Sequence, residues 1–369
     1  MFFSTRLPNI FRILLSAFLL AAFILICMNF NTLIQLSSNS DSPDTNSSTL
    51  FFAEFGWNQD LIYEISSSDP NNKRVIHTVD HSPGFGLNPA INTHKEQIAY
   101  VVLSKDVTPS RQSSAELWIF NSHTHKAIRL ARDADINARP VLRNDGHSIV
   151  YRSSKNINGS SIIEVNLDTR TRRIVYTDNN SFGIIPVGFN QNNEVIFARF
   201  DYTGTDLIQI NHQQELSILF HASDEIARDW RIDPSGKNIA FLAPEFLGEK
   251  IVHRAQLMSL DGTRVNNKIM NGVSEQYAPA WRQDGALAVG TSMAPLVVDN
   301  HNALILMPSE QGFDVPLGWS ADGNYLAVRH FDGIDSYTPG NDSLVVIKQN
   351  KRMTIHNHSE LIFLGWNSA

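Results

Sequence analysis

The feature that most constrains this chain is a short unit that keeps returning: a proline, an aromatic residue, a turn built on Asp-Gly, then three apolar residues. It is fullest in Pro316-Leu317-Gly318-Trp319-Ser320-Ala321-Asp322-Gly323-Asn324-Tyr325-Leu326-Ala327-Val328. The same shape recurs at residues 279–289 and 140–151, with a variant at 232–241. Asp-Gly between apolar runs is a strong hairpin signal, because both central residues of the favoured two-residue turns must accept positive φ. A hairpin repeated at a near-constant interval dictates a repeat architecture.

The apolar triplets supply the ruler. Ile98-Ala99-Tyr100, Ile149-Val150-Tyr151, Val195-Ile196-Phe197, Ile239-Ala240-Phe241, Leu287-Ala288-Val289 and Leu326-Ala327-Val328 start 51, 46, 44, 48 and 39 residues apart. Phe51-Phe52-Ala53 lies 47 residues before the first, and Asp60-Leu61-Ile62-Tyr63-Glu64-Ile65 follows it as a third strand. Seven second strands at a period in the forties, about four short strands per unit, predict an all-β, seven-bladed β-propeller of four-stranded blades. Beyond residue 36 no helical periodicity is sustained, and Val, Ile, Tyr and Phe runs sit between Asn, Asp, Gly and Ser clusters.

The ends of the repeat region predict how the ring closes. Residues 37–49 are a Ser, Asn, Asp and Thr tract with no strand to precede Phe51, whereas the chain finishes Leu361-Ile362-Phe363-Leu364-Gly365-Trp366-Asn367, repeating Gly318-Trp319-Ser320. The C-terminal strand is therefore expected to complete the first blade beside residues 51–55, leaving no open edge. An open solenoid with a frayed tail is the competing arrangement.

Residues 1–49 read differently. Residues 13–30 are almost wholly apolar, and as a helix would reach roughly 27 Å, close to the thickness of a bilayer core. Arg6 and Arg12 precede this segment and no Lys or Arg follows until Lys73, so residues 1–12 are expected in the cytoplasm and the rest outside it. An uncleaved signal-anchor is favoured over a cleaved signal, for which Ser37 or Ser38 would be the site, and over a lipoprotein acylated at Cys27, where Ile26 is too bulky. Residues 31–49 read as a flexible linker, and the 37–49 tract alone has a reach of roughly 20 Å, placing a periplasmic or extracellular domain of residues 50–369 near the membrane. Cys27 is the one cysteine, which excludes internal disulfides and cysteine-based zinc sites. The net charge of −7 lacks the basic stripe that nucleic-acid binding needs.

The repeating unit resembles the PD40 or WD40-like repeat of TolB-type propellers, whose inner hairpin reads roughly Pro-x-Trp-Ser-Pro-Asp-Gly-x-x-Ile-Ala-Phe. Residues 316–328, 279–289 and 140–151 carry it most fully, and the third strands Glu116-Leu117-Trp118-Ile119-Phe120 and Asp206-Leu207-Ile208-Gln209-Ile210 fit the family's third strand. The pattern departs at Asn190-Gln191-Asn192-Asn193, where Asn replaces the turn glycine, and at Asn92-Thr93-His94-Lys95, which has no Asp-Gly. The resemblance implies a propeller over residues 50–369. TolB itself binds partner proteins through its channel face; some seven-bladed relatives are metal-dependent polysaccharide lyases that use histidines on the loop face.

Long connections predict where a site would lie. First-to-second and third-to-fourth strand turns are short, while residues 104–114, 243–253, 290–301 and 329–341 are long and share the other face, where binding usually resides. The candidate binding face comprises Asp133, Asp135, Arg139, Asp178, Asp224, Asp229, Glu275, Asp314, His253, His330 and Trp57. With Asp80, Glu225, Glu310 and Glu360, these acids would focus a negative potential on the channel mouth, partly neutralised by Arg139, Arg228 and Arg231. Solvated loop residues and blade caps are the plainer reading of the same acids. His123 with His125, and His356 with His358, would share a strand face at the rim, while His81, His221, His253, His301 and His330 are better placed on the loop face. Trp281, Trp319 and Trp366 occupy equivalent positions and are expected to pack blades together, whereas Trp57 is the tryptophan expected to be exposed.

No nucleophile elbow, phosphate-cradling glycine loop or zinc-protease helix motif occurs. No catalytic residue, cofactor or metal ligand is therefore assigned. The expected function is non-catalytic binding of a protein or peptide partner in the cell envelope, with membrane attachment through residues 13–30; the alternative is a channel-site enzyme such as a metal-dependent polysaccharide lyase.

Overall fold

The computed structural model describes residues 48–367 apart from 68, 95, 111–112, 154–158, 180, 264–274, 293, 300–303, 309, 350 and 357–360. The expected signal-anchor, most of the linker, Cys27, His301, His358 and Glu360 lie outside the described residues. Among the described residues no helix occurs, and all strand pairing is antiparallel.

Six sheets follow one another along the chain. The first joins Leu361–Asn367, Thr49–Glu54, Gln59–Ser66 and Asp69–Asp80 in that spatial order. The second has eight strands: Asn88–Pro89, Gln97–Val102, Ala115–Asn121 and Lys126–Ala134, then Val141–Leu142, Ser148–Ser153, Ser160–Asn166 and Arg172–Asp178. A single residue pair, Ala134 with Ser153, holds its two halves in one sheet. The third contains Gly183–Phe189, Val195–Asp201, Gly204–Ile210 and Leu216–Ser223, and the fourth contains Arg228–Ile232, Asn238–Leu247 and Lys250–Ser259. The fifth runs Gln276–Trp281, Leu287–Thr291, Leu296–Val298 and Leu304–Leu306; the sixth runs Phe313–Trp319, Tyr325–Phe331, Asp342–Lys348 and Lys351–His356.

The repeating triplets all fall on second strands, where apolar residues on both faces are buried between neighbouring sheets. Phe52, Ile98, Ile149, Ile196, Ile239, Ala288 and Ala327 are all buried. The apolar core accordingly divides into clusters lodged between consecutive groups of strands. One joins Phe51 and Ile62 to Ile98 and Phe120; the last joins Tyr325 and Leu344 of the sixth sheet to Leu50, Phe52 and Ile65 of the first. Continuous apolar runs suit such doubly covered strands, as in buried sheets generally.

The two ends of the domain meet as the sequence predicts. Leu50 pairs with Trp366, Phe51 with Gly365 and Phe52 with Phe363, with a register shift between Phe51 and Phe52. Leu364 packs with Phe51 and Ile98, and Trp366 with Leu50 and Tyr325, so the last strand seals the junctions on both sides.

The turns differ in detail from the two-residue form. In each Asp-Gly turn only the glycine takes positive φ: Gly146 at 76°, Gly285 at 89° and Gly323 at 72°. Its N–H bonds the carbonyl three residues back, as from Gly323 to Ser320 at 2.9 Å. The aspartate acts through its side chain: Asp145 Oδ1 accepts from His147 N at 2.9 Å and Asp322 Oδ1 from Asn324 N at 3.1 Å. Asp is thus favoured for its hydrogen-bonding carboxylate, and Gly for the left-handed backbone. Asn193, at φ 60°, takes the glycine's place where the motif lapses.

Candidate functional site

The innermost strand of each strand group, or the turn after it, borders a central channel. Its turn-face half is a cavity of about 530 Å³ bordered by Ile91, Leu142, Gly188, Ile232, Trp281, Trp319 and Trp366 among others. Three tryptophans hold that wall together, each indole donating to the innermost strand of the preceding unit. Trp281 Nε1 donates to Arg231 O at 2.9 Å, Trp319 Nε1 to Ala280 O at 3.2 Å and Trp366 Nε1 to Gly318 O at 3.1 Å. They pack the units together, as their equivalent positions predict, and also line the cavity. Where no tryptophan stands, Asn92 exchanges bonds with Leu142.

The loop-face half of the channel is a second cavity of about 330 Å³, sharing Arg231, Leu317 and Phe363 with the first. Its charged lining is entirely arginine: Arg139, Arg231 and Arg329. Arg139 donates through Nε to Pro89 O and through Nη2 to Ala90 O, both at 3.0 Å, and Arg231 donates through Nη1 to Trp230 O at 2.8 Å. Among the described residues neither guanidinium lies within salt-bridge distance of a carboxylate. Burial pushes the pKa of Arg139 down to about 9, helped by the nearby charge of Arg231 and opposed by Asp229. Burial also lowers that of Arg231, again opposed by Asp229. Both keep their charge at neutral pH. Arg329 differs, for it is paired with Asp342.

The acidic residues of the candidate face do not line this cavity, whose charged lining is positive. Each acid is engaged locally. Asp133 accepts from Arg172 at 2.7 Å, Tyr151 at 2.8 Å and Ser153 at 3.2 Å, clasping the two halves of the second sheet at the rim. Asp135 pairs with Arg152 at 2.8 Å, Asp178 accepts from Ser181, and Asp224 meets His221 at 3.1 Å. Asp229, at φ 56°, lies 3.6 Å from Arg228. Glu275 accepts from Ser336 at 2.8 Å and lies 3.8 Å from His253. Asp314 is buried beneath Arg352 at 2.7 Å and His330 at 2.9 Å. The pairings His253 with Glu275 and His330 with Asp314 thus join members of the candidate set, while Arg139 alone of that set lines the arginine cavity.

The histidines are equally dispersed. His81 is buried with both ring nitrogens facing acceptors, Ser82 O at 2.9 Å and Asp60 Oδ1 at 3.0 Å. His125 has φ 53° and sits in a turn, so it does not share a strand face with His123. Among the described residues no group of three or more His, Cys, Asp or Glu is placed to hold a metal.

Asp133 has a pH consequence. Burial raises its pKa, but hydrogen bonds from Arg172 and Tyr151 and the Arg172 charge outweigh that and hold it below the usual carboxylate range. A carboxyl lowered in the folded state adds stability at neutral pH that is lost as pH falls through its folded pKa. Asp133→Asn is expected to flatten the fall of Tm below about pH 4. An unchanged slope in thermal unfolding across that range overturns this assignment.

Sequence reasoning missed two sets of residues. Arg329 has equivalents in Arg152 and Arg199, each just past a second-strand apolar run and each paired to an acid: Arg152 to Asp135 and Arg199 to Asp206, both at 2.8 Å. That recurrence was the available signal. The second set is apolar and exposed. Trp57, as expected, is 69% exposed, but Tyr202 at 89%, Ile334 at 80% and Tyr337 at 69% are as bare, together with Phe182, Ile226 and Phe246. All lie in second-to-third strand hairpins or in connections between strand groups, hence on the loop face. The other exposed large apolar residues sit on outermost strands or beside these loops, and the Asp-Gly turns carry none.

No family model and no curated protein matches this sequence. Solved structures do match. TolB from Acinetobacter baumannii superposes with a TM-score of 0.52 at 11% identity, covering 86% of this chain and 66% of TolB. Oligogalacturonate lyase from Vibrio parahaemolyticus gives 0.55 at 13% identity over 85% of each chain. The β-propeller domain of the Trilobed protease from Pyrococcus furiosus gives 0.53 at 8% identity, covering 82% of this chain and 88% of that one. This chain thus spans just under two thirds of TolB's length. At such identities the likeness concerns architecture alone. The fold is that of the TolB-like, PD40-repeat β-propellers.

Proposed function

We propose that this chain is a membrane-anchored, extracytoplasmic propeller of seven blades that binds a protein or peptide partner on its loop face without catalysis. The blade count is supported by the second sheet dividing at one residue pair and by innermost strands from seven groups bordering the channel. Attachment and export rest on the apolar run at 13–30 and its preceding Arg6 and Arg12.

The observation that carries the binding role is the segregation of exposed apolar side chains. Phe182 and Tyr202 meet edge-on at 4.3 Å, and Tyr337 reaches across to donate to Ile251 O at 3.1 Å, so loops from different sheets present joined apolar surface. Exposed aromatic residues gathered on one face are what a protein interface needs, since such patches are otherwise unfavourable in water.

The test is capture of envelope proteins by the full chain and by two triple variants. Tyr202→Ser, Ile334→Ser and Tyr337→Ser together are expected to reduce capture at least tenfold, truncated aromatic anchors costing about 2 kcal/mol or more. Asn144→Ser, Gln283→Ser and Asn324→Ser on the turn face should leave it unchanged. Equal capture by both variants would overturn the face assignment. Stoichiometric metal in the purified protein would instead favour the lyase alternative.

A further inference from the structure

Two guanidiniums, Arg139 and Arg231, face one cavity without a carboxylate partner, each using only part of its donor set on backbone carbonyls. A guanidinium has five N–H donors in a planar fork, and its unused donors match the two oxygens of a carboxylate. Asp229, the acid whose charge acts on both, lies beside Arg228 and does not line the cavity. The positive charge is therefore left partly uncompensated where a ligand would enter.

Apart from Asn88, bonded to Ile136 O, and Arg329, paired with Asp342, the rest of the wall is apolar. Leu87, Leu317, Leu361 and Phe363 surround the arginines. A hydrated inorganic anion gains nothing from such surface, whereas an acid on an apolar stem satisfies both halves at once. The volume lies within the range of roughly 300–1,000 Å³ that holds small ligands.

We infer that the loop-face end of the channel binds a carboxylate carried on an apolar stem, with Arg139 and Arg231 holding the carboxylate and Leu317, Leu361 and Phe363 the stem. Two sources share that chemistry: the C-terminal end of a peptide chain and a small branched-chain acid. The peptide source rests on the binding-module reading above, because the cavity opens on the face that carries the exposed apolar residues.

The experiment is calorimetric titration of the detergent-solubilised full chain with N-acetyl-Ala-Leu as the free acid, with its C-terminal amide, with 4-methylpentanoate and with inorganic phosphate. The free acid is expected to bind at least about tenfold more tightly than the amide, the scale of losing one charge-assisted pair. That comparison needs no variant. Arg231→Gln keeps a donor for Trp230 O and removes the charge, and is expected to weaken the acid at least about tenfold while leaving the amide unchanged. Tighter binding of the dipeptide acid than of 4-methylpentanoate identifies a peptide end; equal binding identifies the small acid. The inference is overturned if the acid and amide bind alike, if neither binds at about 10 mM, or if phosphate binds as tightly as the acid. Failure of the loop-face variants with a retained acid preference would sink the partner-docking reading and leave this pocket standing; the converse separates them equally well.

Discussion

Removal of residues 361–369 is expected to abolish cooperative folding of the propeller. Leu361–Asn367 supplies every register partner of Thr49–Glu54 on that side, from Thr49 with Asn367 to Glu54 with Leu361. Its loss also deletes Leu364 and Trp366, buried at two different junctions. Truncating a buried Trp costs about 3–5 kcal/mol and a buried Leu about 2–5, against a typical total stability of about 5–15 kcal/mol. The exposed remainder is worse than neutral, because the freed edge is Leu50-Phe51-Phe52-Ala53, a buried apolar strand with the composition of an aggregating segment. Circular dichroism and sedimentation of full-length and shortened chains in the same detergent test this. A shortened protein that stays monomeric and melts cooperatively within a few degrees of the full chain would refute closure by this strand. Trp366→Phe is the graded version: it keeps a ring between Leu50 and Tyr325 but loses the bond to Gly318 O, and should cost about 1 kcal/mol for the bond plus the smaller ring's lost packing.

The architecture was legible because it rests on features that repeat. Second strands announce themselves as apolar triplets, since a strand covered on both faces has no polar alternation to hide in. Turn glycines, the equivalent tryptophans and the orphan last strand were readable for the same reason. What the sequence withheld was the partner of each charge. Asp133 meets Arg172, thirty-nine residues away, and Asp314 meets Arg352 across four strands. Such pairs join strands that are not neighbours in sequence, which no local spacing encodes. A tally of acidic residues on one face points to a negative mouth, but it cannot show that most of these acids are paired locally or that two arginines line the cavity. Loop apolar residues posed a second ambiguity. Leu87 and Ile334 both follow Gly or Phe-rich turns, yet one is 4% exposed and the other 80%. Only the path of the loop separates a core plug from a docking contact.

Asp60→Ala is expected to be the most damaging single substitution outside the apolar core. Asp60 is fully buried and its carboxylate takes three bonds: Gly56 N at 3.1 Å and His81 Nε2 at 3.0 Å on Oδ1, and Leu87 N at 2.6 Å on Oδ2. Those donors belong to the hairpin that carries Trp57 and to the chain entering the second sheet, so one side chain ties the first junction together. His81 has Ser82 O on its other nitrogen, and removing the carboxylate strands a buried imidazole together with two amides. Leaving a buried donor without its acceptor costs about 1–3 kcal/mol, and three such donors lose theirs together. Tm should fall by roughly 5–15 °C in a domain of this size. Asp60→Asn retains one acceptor oxygen and should lose less. Leu87 also borders the arginine cavity, and its backbone N–H is fixed only by this carboxylate among the contacts described. Loosening it should weaken binding of the free acid to the channel at a temperature where the variant is still folded. If Asp60→Ala melts within about 2 °C of the wild type, the junction is held by apolar packing alone and the buried pair contributes nothing to positioning the channel wall.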